Sequence, residues 1–179
     1  MDEIEQLRKE NQRLRAKLTE AKNKIISLQQ QIETHSTMAT GMQGEKHILD
    51  CIPATATIRN GIYDLLTHDG QRVEVKTSKL VDAGEGHMRW QWGKVTGQSE
   101  DKDYDRIFLI GILPPDAPKR YQIFDVPFDV VKELETEGGK AAKQIRASVK
   151  FTSKCGSRRK LLEHFSVTEE ELKARYQSS

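Results

Sequence analysis

Between Tyr63 and Leu80 the chain reads YDLLTHDGQRVEVKTSKL, and Asp64, Glu74 and Lys76 within it are of the types that handle phosphate esters. In a strand, alternate side chains share a face, so Glu74 and Lys76 project together while Val73 and Val75 project to the other side. The turn preceding that strand sets what faces them. A two-residue Asp-Gly turn pairs position 64 with 75. A three-residue loop, His68-Asp69-Gly70 with Gly70 left-handed, pairs 64 with 74. In the second register Asp64, Glu74 and Lys76 stand on one face. Opposed like charges destabilise a sheet, so a divalent cation or Lys76 has to neutralise them. Hard carboxylate oxygens suit Mg²⁺, with Mn²⁺ as a substitute. Such a metal polarises a phosphate oxygen and acidifies a bound water. A lysine beside it positions the water and stabilises charge on the phosphorane.

The flanking patterns supply the elements that must hold these groups. GIYDLLT and RVEVKTS read as a hairpin, MRWQWGKV alternates at period two, and RYQIFDV alternates again. RIFLIGIL is a continuous apolar run, as expected of a strand covered on both faces. A helix over about 41–52 precedes the hairpin and stops at Pro53, and HSTMATGMQG before it reads as a hinge or helix start. Glu45 leans over the apolar face made by Ile48, Leu49 and Ile52, either as a charge near a helix N-terminus or as an acid aimed into a site. PFDVVKELETE and then GKAAKQIRASV read as helical, and TEEELKARY opens with a capping box, Thr168 to Glu171. The body is therefore mixed α/β or α+β.

Residues 1–36 form a separate unit. With Ile4 at heptad position a, the a positions are Ile4, Asn11, Leu18, Ile25 and Ile32, and the d positions are Leu7, Leu14, Ala21 and Leu28. No Gly or Pro interrupts the register, and Asn11 is the residue type that favours a parallel two-stranded coil. A parallel coiled-coil homodimer is expected, with its two bodies (37–179) at the same end. Only 36% of residues are hydrophobic, and no apolar run approaches a membrane span. The MDEIEQ start shows no signal-peptide pattern, and Cys51 and Cys155 lack metal-type spacing. A reducing, cytoplasmic setting is expected.

GEKHILD, then YD, then nine residues, then EVK, resembles the PD-(D/E)XK nuclease superfamily, the restriction-endonuclease-like fold, over about residues 41–126. Tyr63 stands where the family's named proline would be. The resemblance implies a central mixed β-sheet flanked by helices. It also implies Asp64, Glu74 and the Val75 carbonyl as metal ligands, Lys76 as the catalytic lysine and Glu45 as an accessory acid. The expected activity is that of a Mg²⁺-dependent endonuclease cutting double-stranded DNA as a homodimer. A Holliday-junction resolvase, a homing-type endonuclease or a non-catalytic coiled-coil DNA-binding protein is the alternative.

Charge placement points to a nucleic-acid partner as well. Between Gly138 and Leu162 the chain carries Lys140, Lys143, Arg146, Lys150, Lys154, Arg158, Arg159 and Lys160 and no acid. Lys154, Arg158, Arg159 and Lys160 are candidate phosphate contacts, as are Gln91 and Lys94 on the strand after the hairpin. Trp90 and Trp92 read as core. Asp101, Asp103 and Asp105 in DKDYD lack the Gly and distal Glu of a calcium loop and read as polar loop. His47, His68, His87 and His164 show no ligand spacing among themselves.

Overall fold

The computed structural model describes residues 3–57, 62–85, 87–96, 102–137, 143–148 and 157–177, with the side chains of 3–8, 29–30, 32–35, 137 and 157 outside that description. The chain divides into two compact units, Met1–Ala39 and Thr40–Ser179. Helix α1 (Glu3–Cys51) continues from the first unit into the second. The sequence expectation of a break near HSTMATGMQG is thus corrected. Gly41 and Gly44 weaken a helix locally, yet tertiary packing favours glycine at the second of them. A Cβ on Gly44 would overlap the Thr77 hydroxyl and lie 3.1 Å from Ile110 Cδ1. Pro53 stops the helix as expected.

In the first unit, Leu14, Leu18, Ile25 and Leu28 are about half exposed. Asn11 and Ala21 are exposed too, so the described a and d positions face solvent on the single chain. The side chains of Ile4, Leu7 and Ile32 lie outside the described residues.

The second unit is α+β with a central mixed sheet flanked by helices. That sheet runs β1 (Ala54–Ala56), β2 (Leu65–Thr67), β3 (Arg72–Ser78), β6 (Arg106–Ile112), β7 (Tyr121–Pro127) and β10 (Ser166–Val167), in that spatial order. Strands β3 and β6 are parallel, and the other neighbours are antiparallel. One face packs Val73, Val75, Phe108 and Ile110 against Ile48, Cys51 and Ile52 of α1 and Leu172 and Tyr176 of α4 (Glu169–Gln177). The other packs Ile107, Leu109, Phe124 and Val126 against Trp90 and Trp92. The α4 capping box forms as expected: the Thr168 amide donates to Glu171 Oε2 at 2.8 Å, and the Glu171 amide donates to Thr168 Oγ1 at 3.1 Å.

Further expectations are corrected here. MRWQWG is strand β5 (Met88–Gly93), but it lies in a second sheet with β4 (Val81–Asp82), β9 (Lys143–Ser148) and β8 (Thr136–Glu137). KQIRAS, read as helical, is β9. Its Ala, Lys and Gln favour helix intrinsically, but pairing with β5 and burial of Ile145 and Ala147 against the tryptophan layer override that preference. PFDVVKELETE does begin as a helix, α2 (Phe128–Leu134), and α3 spans Ser157–Glu163. Among the described residues no helix is long and apolar enough to cross a membrane.

Candidate functional site

The hairpin takes the three-residue loop. Gly70 has φ 85° and donates to Thr67 O at 3.0 Å, and the Thr67 and Gln71 backbones meet across the loop at 3.0 Å. Leu65 pairs with Val73 and Leu66 with Arg72, while Asp64, just before β2, donates its amide to Val73 O at 2.9 Å rather than pairing with Glu74. Leu65, Val73 and Val75 enter the core under α1 and α4, so Glu74 and Lys76 share the opposite face. The Asp64 carboxylate takes the place of a ladder carbonyl: its Oδ2 accepts the Val75 amide at 2.8 Å. This bond fixes the carboxylate beside the strand that carries Glu74.

Glu74 is fully buried. Its Oε1 is bonded by the Lys76 ammonium and its Oε2 accepts from Lys102 Nζ at 3.0 Å. Burial raises the pKa of Glu74 above the ordinary glutamate value, and the charge of Asp64 adds to the rise, against the lowering by Lys76 and Lys102. Taking a carboxylate out of water costs several kcal/mol, so a fully buried one needs such partners to stay charged.

Lys102 is the functional candidate that the sequence reading passed over. It belongs to DKDYD, and the structure gives each described residue of that loop a task. Asp103 and Asp105 grip Arg72, the first residue of β3: Asp105 Oδ2 accepts the Arg72 amide at 2.8 Å, and Asp105 Oδ1 accepts from its guanidinium at 2.8 Å. The hydrogen bonds from Arg72 lower the Asp105 carboxyl below the usual aspartate value. Tyr104 is buried, donates to Val95 O at 2.7 Å, and has its phenol pushed upward by burial first and by Glu74 second. The loop is thereby pinned just after Lys102, and the lysine reaches Glu74. The available signal was an Arg immediately before the Glu-x-Lys strand and a loop of alternating acids. Asp101 lies outside the described residues.

The remaining candidates fall elsewhere. Glu45 is half-buried on α1 and does not join Asp64 and Glu74 as a group of ligand oxygens within 4.8 Å of one another. Gln91 is exposed: Trp90 and Trp92 turn to the central sheet, and the alternation turns Gln91 away from it, opposite Arg146 of β9. It therefore does not stand on the Glu74 face of the core. Lys94 is exposed with φ 54°. Arg158 and Lys160 are exposed on α3. Arg159 is buried, its guanidinium 5.8 Å from the Trp90 ring and 5.6 Å from Phe124, a cation–π packing that removes it from the phosphate-contact set. Lys154 lies outside the described residues.

Asp64 and Glu74 are carboxylates, the donor type that hard divalent cations take; both Glu74 oxygens are bonded by lysines, and Asp64 Oδ2 is bonded by the Val75 amide. No protein-family model matches this chain, and no curated protein matches it.

Proposed function

We propose that this protein is a Mg²⁺-dependent DNA endonuclease of restriction-endonuclease-like character, acting as a homodimer joined by the coiled coil of residues 1–36. One observation carries this reading. A buried glutamate shares the end of a hairpin with a second carboxylate and is contacted by two lysines from different elements. Asp64 and Glu74, with the Val75 carbonyl, would hold the metal, which supplies phosphate polarisation and a water of lowered pKa. The chain's own part follows from the two ammoniums. Glu74 needs charge balance at all times, and Lys102 maintains it from the pinned loop. Lys76, a quarter exposed, is then able to swing from Glu74 to a phosphate oxygen or the attacking water. Arg146, Arg158 and Lys160 supply exposed positive charge for the DNA backbone. The exposed stripe of Leu14, Leu18, Ile25 and Leu28 is the area a parallel partner helix would cover.

A second reading is a metal-free DNA-binding protein of the same shape. It is favoured by the fact that Lys76 and Lys102 already neutralise Glu74. Supercoiled plasmid and a four-way junction, incubated with the protein in Mg²⁺ or EDTA, separate the two. The endonuclease reading expects cutting in Mg²⁺ alone, with discrete fragments for a sequence reader and junction cutting for a resolvase. DNA binding without cutting of either substrate would establish the binder. Sedimentation of the Leu18→Glu variant checks the dimer: it should run as a monomer where the parent chain runs as a dimer.

A further inference from the structure

A second group of donor atoms stands on the helix-covered face of the sheet, away from Glu74. His47 and Cys51 are four residues apart on α1 and so share one side of it. Glu169 enters from the first turn of α4, whose start is fixed by the Thr168–Glu171 capping box. One ligand atom of each lies within 4.8 Å of the other two. None of the three takes part in the Glu74 cluster.

The contacts within this group are poor as ordinary structural contacts. His47 Nε2 lies 3.3 Å from Glu169 Oε1, yet it is buried and makes no hydrogen bond among the described residues. Two donor atoms thus stand 3.3 Å apart without forming a hydrogen bond. A separation of roughly 3.3 Å is the edge of a tetrahedron around a metal with nitrogen and oxygen bonds of about 2.0–2.1 Å. The imidazole plane is held by Tyr121, whose ring centroid is 4.2 Å away, and Cys51 is 4% exposed. Glu169, 43% exposed in its side chain, leaves an approach from solvent. Thiolate, imidazole and carboxylate together select zinc-like ions over Mg²⁺.

We propose that His47, Cys51 and Glu169 bind one transition-metal ion of the zinc class, with water at the fourth position, and that this ion ties the end of α1 to α4. Binding replaces the Cys51 thiol proton, which leaves to solvent, with a metal–sulfur bond. The site is independent of the endonuclease reading. Its role is to clamp the first helix of the body to the last.

The test is a titration of the tag-free full chain with Co²⁺, followed by absorption, and then with Zn²⁺. The expected result is one Co²⁺ per chain, with visible bands of tetrahedral strength and a near-ultraviolet thiolate-to-cobalt band, both bleached by Zn²⁺. Cys51→Ser abolishes the near-ultraviolet band. Because a buried substitution can perturb folding, Glu169→Gln at the exposed end is the companion variant; it should weaken Co²⁺ binding by more than about tenfold and abolish the rise in Tm on adding Zn²⁺. Glu74→Gln should keep the full thiolate band. Absence of that band from the parent chain overturns the proposal, as does equal Co²⁺ affinity in the parent and Glu169→Gln.

Discussion

Among the described residues two carboxylates are sealed from water, and each is gripped by two cations, but the grips differ. Asp125 on β7 is 1% exposed and is held by Arg106 of β6 through Nε at 2.6 Å and by Arg175 of α4 through Nη1. Glu74 on β3 is 0% exposed and is held by Lys76 and Lys102. Guanidinium groups are planar, permanently charged and matched to carboxylates, so the Asp125 cluster is suited to fastening β6, β7 and α4 together. Ammonium groups are compact charges on flexible stems that exchange partners readily. The Glu74 cluster also has a second acid beside it, Asp64, whose charge acts on Glu74. The same buried charge is therefore held by guanidinium groups in one place and by ammonium groups in the other.

Breaking each cluster should separate stability from activity. The largest effect is expected for Arg106→Met, which leaves Asp125 buried with only part of its compensation. Unfolding in urea should show a loss of about 3–5 kcal/mol, with cutting unchanged per folded molecule. Lys76→Met should do the reverse, lowering the plasmid cleavage rate about 10²–10³-fold with little change in the urea midpoint. Lys102→Met should fall between, slowing cleavage roughly tenfold, equivalent to ~1.4 kcal/mol in the barrier, because Lys76 must then stay on Glu74. The smallest effect concerns the loop that delivers Lys102. Asp105 is held below its ordinary pKa by Arg72, so its contribution to stability is present above the unfolded value and is lost as pH falls through the lowered one. Arg72→Met should lower the neutral plateau of the Tm–pH curve slightly, and the parent and variant curves should converge on the acid side.

The local parts of this arrangement were legible in the sequence. Asp-Gly after Thr-His allowed a three-residue loop, and the structure adopts it, although Asp64 meets Val73 rather than Glu74 across the strands. The apolar run of β6 and the Thr168–Glu171 box were equally readable, because each is decided within a few residues. What escaped was decided by distant partners. KQIRAS has helix-forming residues and becomes a strand because β5 offers an edge. Arg159 sits in a basic run but is drawn inside by Trp90 and Phe124. Lys102 looked like loop charge until Arg72 fixed its neighbours. Histidines compared only with one another concealed His47, whose companions are a cysteine one turn on and a glutamate from the far end of the chain.

The most direct measurement compares plasmid cleavage in Mg²⁺ by Glu74→Gln and by Asp125→Asn, each at a temperature well below its own Tm. The account predicts that Glu74→Gln is folded and inactive, while Asp125→Asn is less stable and still cuts. Cutting by Glu74→Gln at the parent rate would contradict it.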